Sequence, residues 1–125
     1  LLPSLLALWI GMTAAVQAEI TPTRLRSEYL ENPLGIDEAA PRLSWIVLSG
    51  ERGRKQTAYQ ILVAGTARQL ADDRGDVWDS GKVDSDQTVN VEYQGAKLRS
   101  RQVCHWKVRV WDQGDRPSDW SAAAV

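Results

Sequence analysis

Trp106-Lys107-Val108-Arg109-Val110-Trp111-Asp112, followed nine residues after Trp111 by Trp120-Ser121, is the stretch that decides the fold. It alternates with period two: Cys104, Trp106, Val108 and Val110 fall on one face, and Val103, His105, Lys107, Arg109 and Trp111 on the other. Successive side chains of a strand point to opposite faces, so the pattern predicts a β-strand with one buried face and one face of aromatics and cations. Gln113-Gly114-Asp115-Arg116-Pro117-Ser118 is dense in turn formers and predicts a reversal into a second strand opening at Trp120.

Upstream, strand signals recur between turns. Thr23 to Leu30 reads as extended and ends at Asn32-Pro33-Leu34-Gly35, where Pro and Gly turn the chain. Arg42 to Leu48 follows, with Leu43, Trp45 and Val47 on one face and Ser44, Ile46 and Leu48 on the other. A polar turn over residues 50–55 leads to a strand from Gln56 to Ala64, with Thr57, Tyr59, Ile61 and Val63 facing in. Thr66 to Asp73 predicts a short helix with Thr66 as N-cap. Val77 to Asp79 predicts a short edge strand ending at Ser80-Gly81, and Thr88 to Tyr93 a strand with Val89, Val91 and Tyr93 inward. About seven short strands at this spacing predict an all-β fold, a fibronectin type III/Ig-like β-sandwich.

The first 18 residues differ from the rest. Leu1 to Val16 is apolar and uncharged, shorter than the roughly 20 residues of a membrane span, and leads into Val16-Gln17-Ala18, with small residues where a signal peptidase cuts. Residues 1–18 are therefore expected to be an N-terminally truncated signal peptide, and residues 19–125 the sandwich. Export to the periplasm or the extracellular space follows, with no membrane span after signal removal. The chain stops at Ala122-Ala123-Ala124-Val125 immediately after a predicted strand, which suggests a cut within a longer protein.

All charges lie in the second part, 15 basic against 16 acidic, and a net charge of −1 gives no reason to expect nucleic acid or an acidic membrane as partner. Six Trp and three Tyr with no Phe supply large side chains with polar tips, suited to half-buried sheet faces. A single cysteine excludes an internal disulfide, and its place on the buried face of its strand makes Cys104 a small core hydrophobe.

No residue set amounts to an active site, and no metal or cofactor is expected. Asp72, Asp73, Asp76, Asp79, Asp84 and Asp86 lack the Gly and Glu spacing of a calcium loop and read as a solvated loop. Arg74-Gly75-Asp76 reads as a turn before it reads as an adhesion tripeptide. His105 is the only histidine, which excludes a multi-histidine zinc site; on its outer face no partners for a catalytic triad accompany it. Glycosidic chemistry needs two carboxylates about 5–9.5 Å apart across a cleft, and acids on loops and edges offer no evident cleft. The outer-face set Lys107, Arg109, Trp111 and Trp120 is expected to stack as a structural cation–π ladder, with a sugar-stacking platform as the alternative. Ile46 and Leu48, apolar on the solvent side of their strand, predict an interdomain contact.

Leu25-Arg26-Ser27-Glu28-Tyr29-Leu30-Glu31-Asn32-Pro33-Leu34-Gly35-Ile36-Asp37 and Pro41-Arg42-Leu43-Ser44-Trp45 resemble the opening of bacterial α-L-rhamnosidases of glycoside hydrolase family 78. Gln56-Thr57-Ala58-Tyr59, Trp78-Asp79-Ser80-Gly81-Lys82-Val83 and Trp106 to Asp112 continue the match in order, over residues 24 to 122. The resemblance implies a fibronectin-type N-terminal module followed by further β-domains and an (α/α)6 barrel. That barrel carries the acids that hydrolyse terminal α-L-rhamnosides with inversion, so no catalytic residue transfers to this chain. It also implies export, downstream domains of the same polypeptide as partners, and a rhamnosylated carbohydrate met through the parent enzyme. Pro33 and Gly35 would set a turn, and Trp45, Tyr59 and Trp106 would fill the core. The competing expectation is a stand-alone carbohydrate-binding or adhesion module of a cell-surface protein, which a stop codon or another sandwich repeat after Val125 would favour.

Overall fold

A computed structural model describes residues 20–29, 31, 40–50, 53–99 and 102–125. The leader expected over residues 1–18 and the turn expected at Asn32-Pro33-Leu34-Gly35 lie outside these residues. The element order is β1 (Ile20–Ser27), β2 (Arg42–Ser49), β3 (Ala58–Ala64), α1 (Ala67–Ala71), β4 (Trp78–Asp79), β5 (Val91–Glu92) and β6 (His105–Trp111). The strands form two three-stranded sheets, ordered β1-β2-β5 and β4-β3-β6, and every strand pair is antiparallel.

The inward faces predicted by alternation meet between the sheets. Leu25, Leu43, Trp45, Tyr59, Ile61, Val63, Val91, Tyr93, Trp106, Val108 and Val110 are buried in one core, with Cys104 packed against its rim. Trp45 meets Tyr59 edge-on at 5.3 Å, and its indole N–H donates to Gln56 Oε1 at 3.0 Å. Gln56 is itself buried and donates to the carbonyls of Ser85 and Gln87, both at 3.0 Å. A buried indole N–H without a partner is costly, and one amide here satisfies it while tying the loop after β4 to the core.

Three expectations are corrected. β1 begins at Ile20 and ends at Ser27, because Glu28 and Tyr29 take left-handed backbone (φ 51° and 65°) that breaks an extended strand. The Glu28 carboxylate then clamps the start of β2, accepting from the Arg42 backbone N–H at 2.6 Å and from its guanidinium at 2.7 Å. Val89 is 48% exposed instead of inward, because Asn90 at φ 57° breaks the alternation and β5 is cut to two residues. The sandwich has six strands among the described residues, not seven. The segment expected to open a strand at Trp120 forms no regular ladder with β6, only isolated bridges at Trp111–Pro117 and Trp106–Ala124.

That last segment is tied down by its serines. Ser118 donates its backbone N–H to the Val110 carbonyl at 2.7 Å, and its Oγ accepts from Val110 N–H at 3.0 Å. Ser121 repeats the arrangement on Val108, at 2.8 and 3.1 Å, and Ala124 exchanges both backbone bonds with Trp106. Residues 118, 121 and 124 thus oppose 110, 108 and 106. Three residues cover the span of two on β6, so the segment is coiled too tightly for a regular strand, and hydroxyls take the place of the missing carbonyls.

Candidate functional site

The outer face of the β4-β3-β6 sheet carries the cation–aromatic cluster. Antiparallel register sets Gln60 opposite Arg109 and Leu62 opposite Lys107. The Arg109 guanidinium lies 5.0 Å from the Trp111 ring centroid and 4.7 Å from that of Trp120. Lys107 Nζ stands 5.0 Å from the Trp120 ring, and Lys82 Nζ 5.2 Å from the Trp111 ring. The order is Lys82, Trp111, Arg109, Trp120, Lys107. The structure thus brings all four sequence-selected residues together and adds Lys82, which strand alternation could not reach because it lies in the loop after β4.

The cluster is less exposed than an outer face suggests. Lys107 is buried where α1 and Trp120 cover the sheet beside Leu62, and Trp111 is 8% exposed with Lys82 and Arg109 against its ring and Pro117 bridged to its backbone. Thr66 caps α1, accepting from Gln69 N–H at 3.2 Å, and Leu70 drops onto Leu62 and Ala64 with Trp120 alongside. The cations are satisfied individually. Lys107 pairs with Asp73 just beyond the helix, and Lys82 pairs with Asp115. Arg109 donates through Nε to Gln60 Oε1 at 3.0 Å, and Gln60 donates onward to Asp79 at 2.9 Å. A cation between two indoles gains roughly 0.5–2 kcal/mol per contact, more as water is excluded.

Asp112, at the end of β6, is fully buried. Its Oδ1 accepts from Gly114 N–H at 2.9 Å and Arg116 N–H at 3.1 Å, and its Oδ2 pairs with the Arg116 guanidinium at 2.9 Å. Burial pushes the carboxyl pKa up, but the Arg116 and Gly114 hydrogen bonds and the Arg116 charge together hold it below the usual carboxylate range. This carboxylate organises the turn and has no open side for chemistry.

The other sequence candidates separate. Ile46 and Leu48 lie on the outside of β2, 42% and 57% exposed, opposite Thr23 and Thr21 of β1. Asp76 accepts from Gly65 N–H at 3.0 Å and Asp79 from Gly81 N–H at 2.9 Å, so two of the acids build turns. In Arg74-Gly75-Asp76 the glycine is sterically required: a Cβ there would stand 2.4 Å from the Trp78 carbonyl oxygen. Half-buried His105 stands at the start of β6, and burial raises the Cys104 thiol pKa.

A cleft of about 440 Å³ opens between the two sheets along the β4 and β5 edges, where alternation gave no evident one. Tyr59 and Trp78 line it from one sheet and Val91, Glu92 and Gln94 from the other side. Among the described residues that line it, Glu92 carries the one carboxylate.

Two facing antiparallel sheets around one aromatic core define an immunoglobulin-like sandwich. The model of the Rha78A-like, N-terminal immunoglobulin domain matches residues 22–125, and the chain belongs to that family. An α-L-rhamnosidase of Streptomyces avermitilis is 52% identical over 95 residues, 76% of this chain and 9% of that protein. Among solved structures, the crystal structure of Streptomyces avermitilis α-L-rhamnosidase complexed with L-rhamnose superposes with a TM-score of 0.79 at 48% identity, over 84% of this chain and 10% of that one. The structure of α-L-rhamnosidase from Dictyoglumus thermophilum gives 0.80 at 42% identity, over 82% of this chain and 12% of that one. The chain thus spans about a tenth of the length of the relatives it matches.

Proposed function

We propose that this domain is the non-catalytic N-terminal module of an exported α-L-rhamnosidase, whose remaining domains hydrolyse terminal α-L-rhamnose from glycans or glycosides with inversion. The observation that carries the proposal is the family match across residues 22–125, in a stretch that forms only about a tenth of relatives named α-L-rhamnosidase. The apolar run before Val16-Gln17-Ala18 supports export, and export supports a periplasmic or extracellular place of action. No helix of the described residues is long and apolar enough to cross a membrane.

The module's work is mechanical. The Lys82–Trp111–Arg109–Trp120–Lys107 stack acts as a structural ladder fastening the last segment and the loop after β4 to β6. Buried Trp111, with two cations against its ring, supports this role over sugar stacking. The exposed Ile46–Leu48 face is the contact for the rest of the polypeptide. A groove shared by Pro22 to Leu25 and Ala122 to Ala124 sets the last residues of the chain beside β1, the strand paired with Ile46 and Leu48. Incubating this chain with an aryl α-L-rhamnoside is expected to release no aglycone, while the polypeptide extended beyond Val125 releases it. Turnover by this chain, or an inert extended protein, would overturn the assignment.

A further inference from the structure

We infer that the cleft between the β4 and β5 edges is a binding site for one pyranose ring of a neutral saccharide. Three observations point there. The first is a pair of polar groups without partners. Among the described residues the Tyr59 hydroxyl and the Trp78 indole N–H have no hydrogen-bond partner, although Tyr59 is only 8% exposed. Among the described residues no fully buried polar side-chain atom lacks a partner, so the Tyr59 hydroxyl must reach solvent, and the cleft it lines is its way out. Both groups therefore face water in one cleft, Tyr59 from a nearly buried ring and Trp78 from a half-buried one, and a ligand with hydroxyls can take the place of that water.

The second observation is that these groups are held still. Trp78 meets Tyr93 edge-on at 5.3 Å, and Gly95 backs it so closely that a Cβ there would lie 2.4 Å from Trp78 Cβ. Tyr59 is fixed by its contact with Trp45. Gln87 spends its amide N–H groups on the carbonyls of Val89 and Asn90, at 2.9 and 3.0 Å, which leaves its Oε1 as an oriented acceptor. A ligand meeting such a site loses less to ordering the protein.

The third is the chemistry of the lining. The lining is more polar than apolar: the Tyr59, Trp78, Gln87 and Glu92 groups give a donor, a hydroxyl and acceptors, and the two aromatic rings with Val83 and Val91 give a smaller apolar patch among them. A pyranose has the complementary form, with an apolar C–H face inside a rim of hydroxyls. No Lys or Arg lines the cleft among the described residues, and the one charge is the Glu92 carboxylate, so anionic ligands are disfavoured. The volume, about 440 Å³, lies within the range of small-molecule sites. The proposal goes beyond the module's place in a rhamnosidase, since binding here requires no catalysis and catalysis elsewhere requires no binding here.

The test is an amide and indole ¹H–¹⁵N titration of this chain with L-rhamnose, methyl α-L-rhamnoside, D-galactose and D-glucose, and with D-glucuronate as the charged control. The Trp78 indole resonance is expected to shift saturably with at least one neutral sugar and less with glucuronate, while those of Trp111 and Trp120 stay in place. Tyr59→Phe keeps the ring and its packing and removes only the hydroxyl; Trp78→Phe removes the N–H. Each is expected to weaken binding roughly threefold to tenfold, the effect of one neutral hydrogen bond. No saturable shift with any sugar, shifts centred on Trp111 or Trp120, or affinity unchanged in Tyr59→Phe would overturn the proposal. The aryl rhamnoside assay reads the parent's activity separately, so the two can fail independently.

Discussion

Asp112 closes the run that begins at Trp106, and strand alternation says nothing of its surroundings. The strand pattern ends beside it and the turn-forming Gln113 to Ser118 follows. The fold buries it completely and surrounds it with the Gly114 and Arg116 N–H groups and the Arg116 guanidinium. Because these contacts hold the folded-state pKa below the unfolded value of about 3.9, ionised Asp112 stabilises the fold above that value. The contribution is lost as pH falls through the folded pKa. Urea unfolding from neutral to acid pH should therefore show Asp112→Asn less stable at neutral pH, with a shallower acid limb than the parent chain. Superimposable acid limbs would show that the carboxylate charge contributes nothing. The residues of Trp78-Asp79-Ser80-Gly81 likewise act locally. Trp78 packs on Tyr93, Ser80 Oγ accepts from Ile61 N–H at 2.8 Å, and Asp79 closes a turn onto left-handed Gly81.

At the scale of elements, β2, β3, β6 and the short edge strand β4 were legible, while the bounds of β1, the alternation of β5 and the path of the last segment were not. β2, β3 and β6 follow their patterns because a one-residue slip would turn a whole apolar face to water. β5 and the last segment depart from theirs because side chains, those of Gln87, Ser118 and Ser121, take over backbone bonds. Period-two alternation cannot express such a substitution. The ladder depends on both kinds of element, since Arg109 and Lys107 sit on β6 while Trp120 rides on the irregular segment and Lys82 on a loop. Trp111→Ala should cost about 3–5 kcal/mol, as large aromatic truncations in packed sites do. Thermal or denaturant unfolding would register the loss, and saccharide binding at the Trp78 cleft should persist. Unchanged stability together with lost retention on a sugar column would instead make the indoles a binding platform.

For the whole molecule, the most telling surface is the one that makes no sense alone. Ile46 and Leu48 stand exposed on a strand whose other face is fully committed to the core. Replacing both with serine should change the stability of this chain by no more than about 0.5 kcal/mol, as exposed substitutions do. In the polypeptide extended beyond Val125 the same pair should lower the melting temperature and speed proteolysis at the junction. An extended protein indifferent to the change would place the interdomain contact elsewhere. A face that is silent in the module and costly in the parent is the signature of a domain boundary.

The amino-acid sequence by itself determined the sandwich, the strands β2, β3 and β6, the capped helix and the residues of the cation–aromatic face, because period-two burial and turn chemistry are local and survive without knowledge of partners. The family resemblance was also carried by local motifs, and those among the described residues serve a turn, a clamp or a packing contact. Only the tertiary structure decided which strands stayed regular, that Lys82 joins the stack, that Asp112 is buried, and that Tyr59 and Trp78 open into a cleft. These depend on which loop lies over which edge. Contacts between residues far apart in the chain set that arrangement, and no single strand's pattern encodes them.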